Sequence, residues 1–224
     1  MKNFSKRQII FTEDGSHSIY LPDLDEHYHS IHGALQESKH VFIEMGWKKI
    51  AEIKNEINIL EMGFGTGLNA FLVLKECLCD GNKKVKYTSL ERFPLAKEEV
   101  LQLNYAQEEA EKEMFLKLHE VEWNAEVEIA KNFSLGKEKT ALENIILSEK
   151  KYDLVFFDAF SPESQPELWT EEIFRKLFLA MNSNSILVTY CAKGQVRRNM
   201  IAAGFSVERL QGPPGKREMI RAGK

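Results

Sequence analysis

The residues with chemical potential in this sequence are three carboxylates and a glycine run. Glu61-Met62-Gly63-Phe64-Gly65-Thr66-Gly67 stands where an apolar stretch, Ile57 to Phe64, gives way to the helical pattern of Leu68 to Leu78. Glycines at a strand-to-helix turn let the backbone bend sharply and approach a ligand without Cβ clashes. The spacing is G-x-G-x-G, and Leu68 stands where the last glycine of G-x-G-x-x-G would be, which argues against a dinucleotide pyrophosphate on the helix N-terminus. The leading carboxylate, Glu61, suits a cationic ligand better than a phosphate. Glu91 ends the next strand, in Ser89-Leu90-Glu91-Arg92, where an acid accepts hydrogen bonds from both ribose hydroxyls.

A nucleoside carrying a sulfonium and an α-ammonium meets all of these requirements, and S-adenosylmethionine is such a molecule. Asp158 ends a third apolar run, Tyr152 to Phe157, and opens Asp158-Ala159-Phe160-Ser161-Pro162. Ligands of open α/β sheets lie beyond the carboxyl ends of the strands, so Asp158 is expected in the same crevice as Glu61 and Glu91. An amine is inert toward methylation while protonated. A carboxylate beside it holds the ammonium, accepts its proton directly or through water, and orients the lone pair. Asp158 is the candidate for that role, with Phe160 and Trp169 as apolar or stacking surface for a base. The plainer reading is that Asp158 caps the following turn.

Other clusters offer less. His27-Tyr28-His29-Ser30-Ile31-His32 lacks cysteine partners and the H-E-x-x-H spacing, so no metal site is expected. Ser161 has no G-x-S-x-G elbow around it.

Length, charge and cysteine content limit the setting. The 224 residues suit one α/β domain with a modest extension. No apolar run approaches the roughly 20 residues that span a bilayer, and the start, MKNFSKRQIIF, has no secretory-signal pattern. Cys77, Cys79 and Cys191 make no disulfide framework, so a cytoplasmic location is expected. The net charge of −4 conceals an asymmetry: Ala192 to Lys224 carries eight basic and two acidic residues, a net +6, which leaves −10 for the rest. Ordinary solvated surface is one reading of that basic end; phosphate binding is the other.

The elements that would position these residues alternate. Gln8–Thr12 and Ser18–Leu21 flank Asp14-Gly15 as a hairpin, and helical spacing follows through Leu35, Val41, Phe42, Met45 and Ile50. Strands are expected at 57–64, 85–92, 126–135, 152–160 and 185–192, with helices at 68–78, 93–104, 106–120, 166–181 and 194–204 between them. Val207 and Met219 lie in a closing strand pair joined by Gly212-Pro213-Pro214-Gly215, too tightly connected to cross over, so one strand must run antiparallel. The expected fold is α/β, Rossmann-like, a mostly parallel sheet with one antiparallel strand, as in class I S-adenosylmethionine-dependent methyltransferases. Residues 1–55 are expected to pack as a hairpin and helical extension on a core of 56–224.

With these residues placed, the chain resembles the methyltransferase family of the bacterial wobble-uridine pathway, which includes MnmD and the methyltransferase half of bifunctional MnmC. The matching segments are H-Y-H-S-I-H-G-A-L-Q-E-S-K-H-V-F-I, I-L-E-M-G-F-G-T-G-L-N, F-D-A-F-S-P-E-S-Q-P-E-L-W-T, T-Y-C-A-K-G-Q-V-R-R-N-M-I-A-A-G-F and G-P-P-G-K-R-E-M-I-R-A. They run in order from about residue 27 onward. The resemblance implies methyl transfer from S-adenosyl-L-methionine to the amine of 5-aminomethyl-2-thiouridine at the tRNA wobble position. It implies cofactor contacts from Glu61, Gly63, Gly65, Gly67, Asn69 and Glu91, and a pocket roofed by the segment from Tyr28 to Glu37. Asp158 would lie near the accepting amine, and Arg197, Arg198, Lys216 and Arg217 would hold phosphates of the anticodon stem-loop. Such an enzyme acts after those that install the 5-aminomethyl group. Two departures stand out: the chain has no room for the fused flavin-dependent oxidase, and Gly136-Lys137 replaces the Gly-Asp whose acid meets the adenine amino group in many relatives.

Two other readings share some of these features. A polyamine aminopropyltransferase or small-amine methyltransferase also combines a glycine loop with a strand-end Asp, but has less use for a basic end. A non-catalytic cofactor- and RNA-binding module would not need Asp158, and a labelled-methyl transfer assay separates it from an enzyme.

Overall fold

Asp14 and Gly15 turn the chain back on itself, with Gly15 at φ 80° and Thr12 N–H donating to Ser16 O at 2.9 Å. Strands β1 (Gln8–Phe11) and β2 (His17–Leu21) therefore pair antiparallel, as expected. A two-residue strand that the sequence did not announce, β3 (Glu26–His27), adds to β2 and makes a three-stranded sheet. The computed structural model describes residues 7–224. The first six residues of the 1–55 extension, and most of the basic start read for a secretory signal, lie outside the described residues.

The next helix starts at Ala34, just ahead of the first residue of its apolar spacing, because Gly33 sits at φ 147°, outside the helical region. It runs from α1 (Ala34–Ser38) through a π-helical stretch (Lys39–Trp47) into α2 (Lys48–Ala51). Gly46 brings this helix against the main sheet: a Cβ there would lie 3.0 Å from Val188 and 3.2 Å from Phe156. Val41, Phe42, Trp47 and Ile50 are buried in one continuous cluster with the sheet residues Ile57, Ile59 and Leu154.

The main sheet has eight strands in the order β10-β11-β9-β8-β4-β5-β7-β6. Five of them, β4 (Glu56–Met62), β5 (Lys84–Leu90), β7 (Phe133–Glu138), β8 (Tyr152–Phe157) and β9 (Met181–Thr189), are parallel neighbours. Of the closing pair, β10 (Ser206–Gln211) and β11 (Glu218–Gly223), it is β11 that runs antiparallel to β9. The single strand expected over 126–135 is in fact two, β6 (Ala125–Ala130) and β7, because Asn132 takes φ 69° and reverses the chain. The sheet thus has two antiparallel strands, one near each edge, rather than one.

Helices α3 (Leu68–Asp80) and α5 (Glu109–Glu120) pack on the same face as the N-terminal helix, and α6 (Glu171–Ala180) and α7 (Gly194–Ala202) cover the other. The helix expected over 93–104 is only the single turn α4 (Lys97–Val100). All six residues of β8 are buried, so the sheet centre is closed on both faces and its strand ends are where a ligand can enter.

Candidate active site

Beyond the carboxyl ends of β4, β5 and β8 lies a cavity of about 490 Å³, within the range that holds a small cofactor. Its walls come from opposite ends of the chain: Tyr28 to His32 and Glu37 from the N-terminal region, and Gly215-Lys216 from the loop between β10 and β11. Of the residues singled out in the sequence, Tyr28, Glu37, Gly63, Gly65, Asn69, Glu91, Asp158, Phe160 and Lys216 line it.

The glycine loop has the positive φ angles its sequence demands: 88° at Gly63, 51° at Gly65 and 72° at Gly67. What a side chain would strike there is the protein itself. A Cβ at Gly63 would lie 2.9 Å from Asp158 O, at Gly65 3.1 Å from the Tyr28 ring, and at Gly67 2.7 Å from His119 Nε2. Glu91 braces the loop, accepting from Gly65 N–H at 3.0 Å on one oxygen and from Phe93 N–H at 2.6 Å on the other. Its carboxylate still borders the cavity.

Asp158 accepts from Asn69 Nδ2 at 2.9 Å. Burial, then the Glu37 carboxylate, push its carboxyl up to about 7, against the Asn69 hydrogen bond and the Lys216 charge. Asp153, five residues back and within β8, shows the contrast. Burial also works against its charge, but bonds from Asn58 N–H, Lys54 and Asn182 outweigh burial and hold it below the ordinary carboxylate range. Asp153 is a satisfied structural acid; Asp158 is left with spare acceptor capacity at a cavity wall. Glu37 accepts from Ser30 N–H at 2.7 Å and pairs with Lys216 Nζ at 2.5 Å, and that ammonium sits 3.8 Å from the Tyr190 ring centroid. Asp158, Glu37 and Lys216 therefore line the same cavity, whose wall carries six carboxylates and two cations in all.

Several expectations need correcting. Glu61 is fully buried and does not line the cavity: it accepts from Ser89 Oγ at 2.7 Å, one layer behind the wall. Burial pushes its carboxyl up to about 8 against the Ser89 bond, with the Asp158 charge adding. Gly67 also stands outside the lining, as the residue before α3. Trp169 is core rather than base-stacking surface, edge-on to Phe157 at 4.9 Å with its indole N–H on Phe160 O. Leu168 takes the place on the wall.

The basic end is only partly free. Lys193 pairs with Glu163, Arg209 with Glu218, and Arg221 with Glu208, while Lys224 donates to Phe178 O and Met181 O. Lys216, expected on a phosphate, is held inside by Glu37 and Tyr190. Among the described residues, Arg197, Arg198 and Arg217 have no carboxylate partner, and none of the three lines the cavity. Lys137 does not meet the cavity either. It is buried against Phe64 and Trp123 and donates to His119 O at 2.6 Å. Thr140 to Glu143 supply that wall instead.

Tyr190 and Thr66, not singled out in the sequence, also line the cavity, and the place of Tyr190 just after β9 was a usable signal. Of the histidines, His27 stacks on Tyr20 at 4.7 Å, His29 bonds Thr66 and His32 bonds Glu13. No group of three potential ligands occurs among the described residues.

Sheet order and strand-end cavity are those of the class I methyltransferase fold. A sequence profile of the S-adenosyl-L-methionine-dependent methyltransferases matches residues 82–224, and the chain belongs to that family. It is 33% identical over 211 residues to the "tRNA 5-methylaminomethyl-2-thiouridine biosynthesis bifunctional protein MnmC" of Leptospira borgpetersenii serovar Hardjo-bovis, covering 88% of this chain and 32% of that protein. The protein of the same name from Cupriavidus metallidurans is 28% identical over 232 residues, 95% of this chain and 33% of that one. The chain spans about a third of the length of these curated relatives. The crystal structure of MNMC2 from Aquifex aeolicus superposes with a TM-score of 0.81 at 26% identity, over 99% of this chain and 72% of that one. Spermidine synthase from Thermotoga maritima shares the fold alone, with a TM-score of 0.53 at 12% identity over 98% of this chain and 69% of that one.

The residues present fit the family's cofactor. Asn69, on the cavity wall, keeps a buried Oδ1 without a hydrogen-bond partner among the described residues, an acceptor matched to an ammonium donor. Glu91 suits the ribose hydroxyls, and Leu90, Phe93 and Leu142 give apolar wall for a purine.

Proposed function

We propose that this chain methylates the primary amine of 5-aminomethyl-2-thiouridine at the wobble position of tRNA, giving 5-methylaminomethyl-2-thiouridine. The observation that carries this reading is that Asp158 and Glu37 line one cavity with Lys216, whose ammonium pairs with Glu37, in a lining of six carboxylates and two cations. Such a site has a net negative charge and favours a cationic acceptor. The printed names of the relatives supply the identity of the amine.

Bound S-adenosyl-L-methionine supplies an electrophilic methyl group on sulfur. The chain's own residues prepare the nucleophile. Ionised Asp158 holds the acceptor ammonium, takes one proton from it and leaves the lone pair directed into the cavity. Asn69 keeps the carboxylate in place, and the Tyr28 and Phe160 rings, edge to face at 5.3 Å, form an apolar wall beside it. After transfer the secondary amine keeps a proton as its ammonium, and Asp158 returns its own to solvent. Arg197, Arg198 and Arg217 hold phosphates flanking the extruded base, which leaves a single-stranded loop at lower cost than a duplex. The enzyme works in the cytoplasm, after the reactions that install the aminomethyl group.

The decisive experiment is incubation with undermodified tRNA and methyl-labelled cofactor, followed by nucleoside mass spectrometry. Label in 5-methylaminomethyl-2-thiouridine is expected. Label only in an added polyamine, or none at all, would refute the reading.

A further inference from the structure

Thr66, between two glycines of the loop, is itself 1% exposed, and both of its polar groups beyond the amide are gripped by imidazoles from outside the sheet. His29, following β3, places Nε2 2.7 Å from Thr66 Oγ1. His119, in the last turn of α5, donates from Nε2 to Thr66 O at 3.1 Å; a carbonyl only accepts, so that nitrogen carries the hydrogen. Each ring is itself wedged. His119 lies against Phe64 at 5.1 Å and Phe115 at 4.9 Å, and His29 meets Tyr105 edge-on at 6.3 Å. The fit at His119 is close enough that a Cβ on Gly67 would come within 2.7 Å of Nε2.

The loop's other bonds fix only its flanks. Gly63 and Phe64 donate to Leu90 O, and Gly65 donates to Glu91. At the Thr66–Gly67 peptide itself, Gly67 N–H donates to Phe64 O, and the two imidazoles hold the Thr66 carbonyl and hydroxyl. We propose that His29 and His119 are positioning residues that clamp Thr66 from opposite sides and so hold the glycine loop in its cofactor-accepting shape. On this account the N-terminal region and α5 are part of the cofactor site although neither imidazole reacts. Each lost bond should weaken cofactor binding about tenfold, since the loop must then be ordered at the expense of binding.

The proposal rests on the family's cofactor and is tested by calorimetric titration of S-adenosylhomocysteine. Failure of the wild-type chain to bind would overturn the cofactor reading itself, not the clamp alone. Given wild-type binding, His29→Leu, His119→Leu and Thr66→Val should each raise Kd about tenfold, and His29→Leu with Thr66→Val should cost little more than either alone. Gln at position 29 or 119, which restores a side-chain nitrogen, should recover much of the loss. Amide exchange at Gly65 to Leu68 should speed up in the Leu variants and not in the Gln variants. Wild-type Kd in the Leu variants, or strictly additive losses in the pair, would overturn the clamp. Should a Leu variant fail to fold, Thr66→Val and the Gln variants decide alone: unchanged affinity in Thr66→Val overturns it.

Discussion

Asn69 donates its amide N–H to Asp158 Oδ2 at 2.9 Å, so the first turn of α3 fixes the carboxylate that follows β8. The same helix begins at the glycine loop. One side chain thus couples the cofactor-facing backbone to the acid facing the acceptor, and a shift of either is felt by the other.

Asp158→Asn keeps the acceptor oxygen for Asn69 and removes the charge and the base. Methyl transfer should fall by about 10²–10⁴, while S-adenosylhomocysteine still binds. Single-turnover transfer and calorimetry check this; a wild-type rate would remove Asp158 from the mechanism.

The pH profile follows from the Asp158 environment. Its carboxyl titrates at about 7 and must be ionised to hold the ammonium, so kcat/KM should rise as pH increases through that value. Glu37→Gln removes a charge that raises the Asp158 value and should move this limb to lower pH. Lys216→Met removes a charge that lowers it and should move the limb to higher pH. Unmoved limbs in both variants would show that another group controls the profile.

On the outer surface, Arg197 and Arg198 are the pair to test for phosphate contacts. Arg197→Ala with Arg198→Ala should weaken tRNA binding and flatten the slope of log Kd against log salt by up to about two contacts. Filter binding across a salt series measures it. A slope equal to wild type would place the tRNA elsewhere.

Stability should carry the signature of the buried imidazoles. Burial holds His29 at about 4, and burial with the neighbouring Lys137 ammonium holds His119 at about 4, against 6.5 for an exposed imidazole. Glu37, Lys216 and Asp14 also act on His29. The unfolded chain takes up these protons first, so stability falls as pH drops from about 6.5 toward 4, by roughly 2 kcal/mol per ring between pH 7 and 5. Glu61 and Asp158, raised in the folded state, act in the opposite sense above their unfolded values. Urea unfolding at pH 7 and 5 should therefore show a smaller acid loss in His29→Gln than in wild type.

The sequence was informative wherever one residue type has one use. Gly63, Gly65 and Gly67 announced a left-handed loop, and Gly212-Pro213-Pro214-Gly215 announced the antiparallel strand. It was silent where a role depends on which way a side chain turns. Glu61 and Glu91 look equivalent at two strand ends, yet Glu61 faces Ser89 in the interior and Glu91 faces the loop and cavity. Trp169 and Leu168 are adjacent, and helical geometry sends the larger ring into the core. Net charge misled for a related reason. Local carboxylates neutralise Lys193, Arg209 and Arg221, and Lys216 is drawn inside by a partner 179 positions away.

That Glu37–Lys216 contact has a further consequence for how the chain is made and kept. Until both segments are in place the cavity lacks two of its walls, so a partly synthesised or partly unfolded chain has no complete site to fill. Ligand binding is then an all-or-none report on the finished fold, and its free energy adds to global rather than local stability. A protease that needs either segment to open should be slowed by the same ligand to the same degree, however far apart the two cuts fall along the chain.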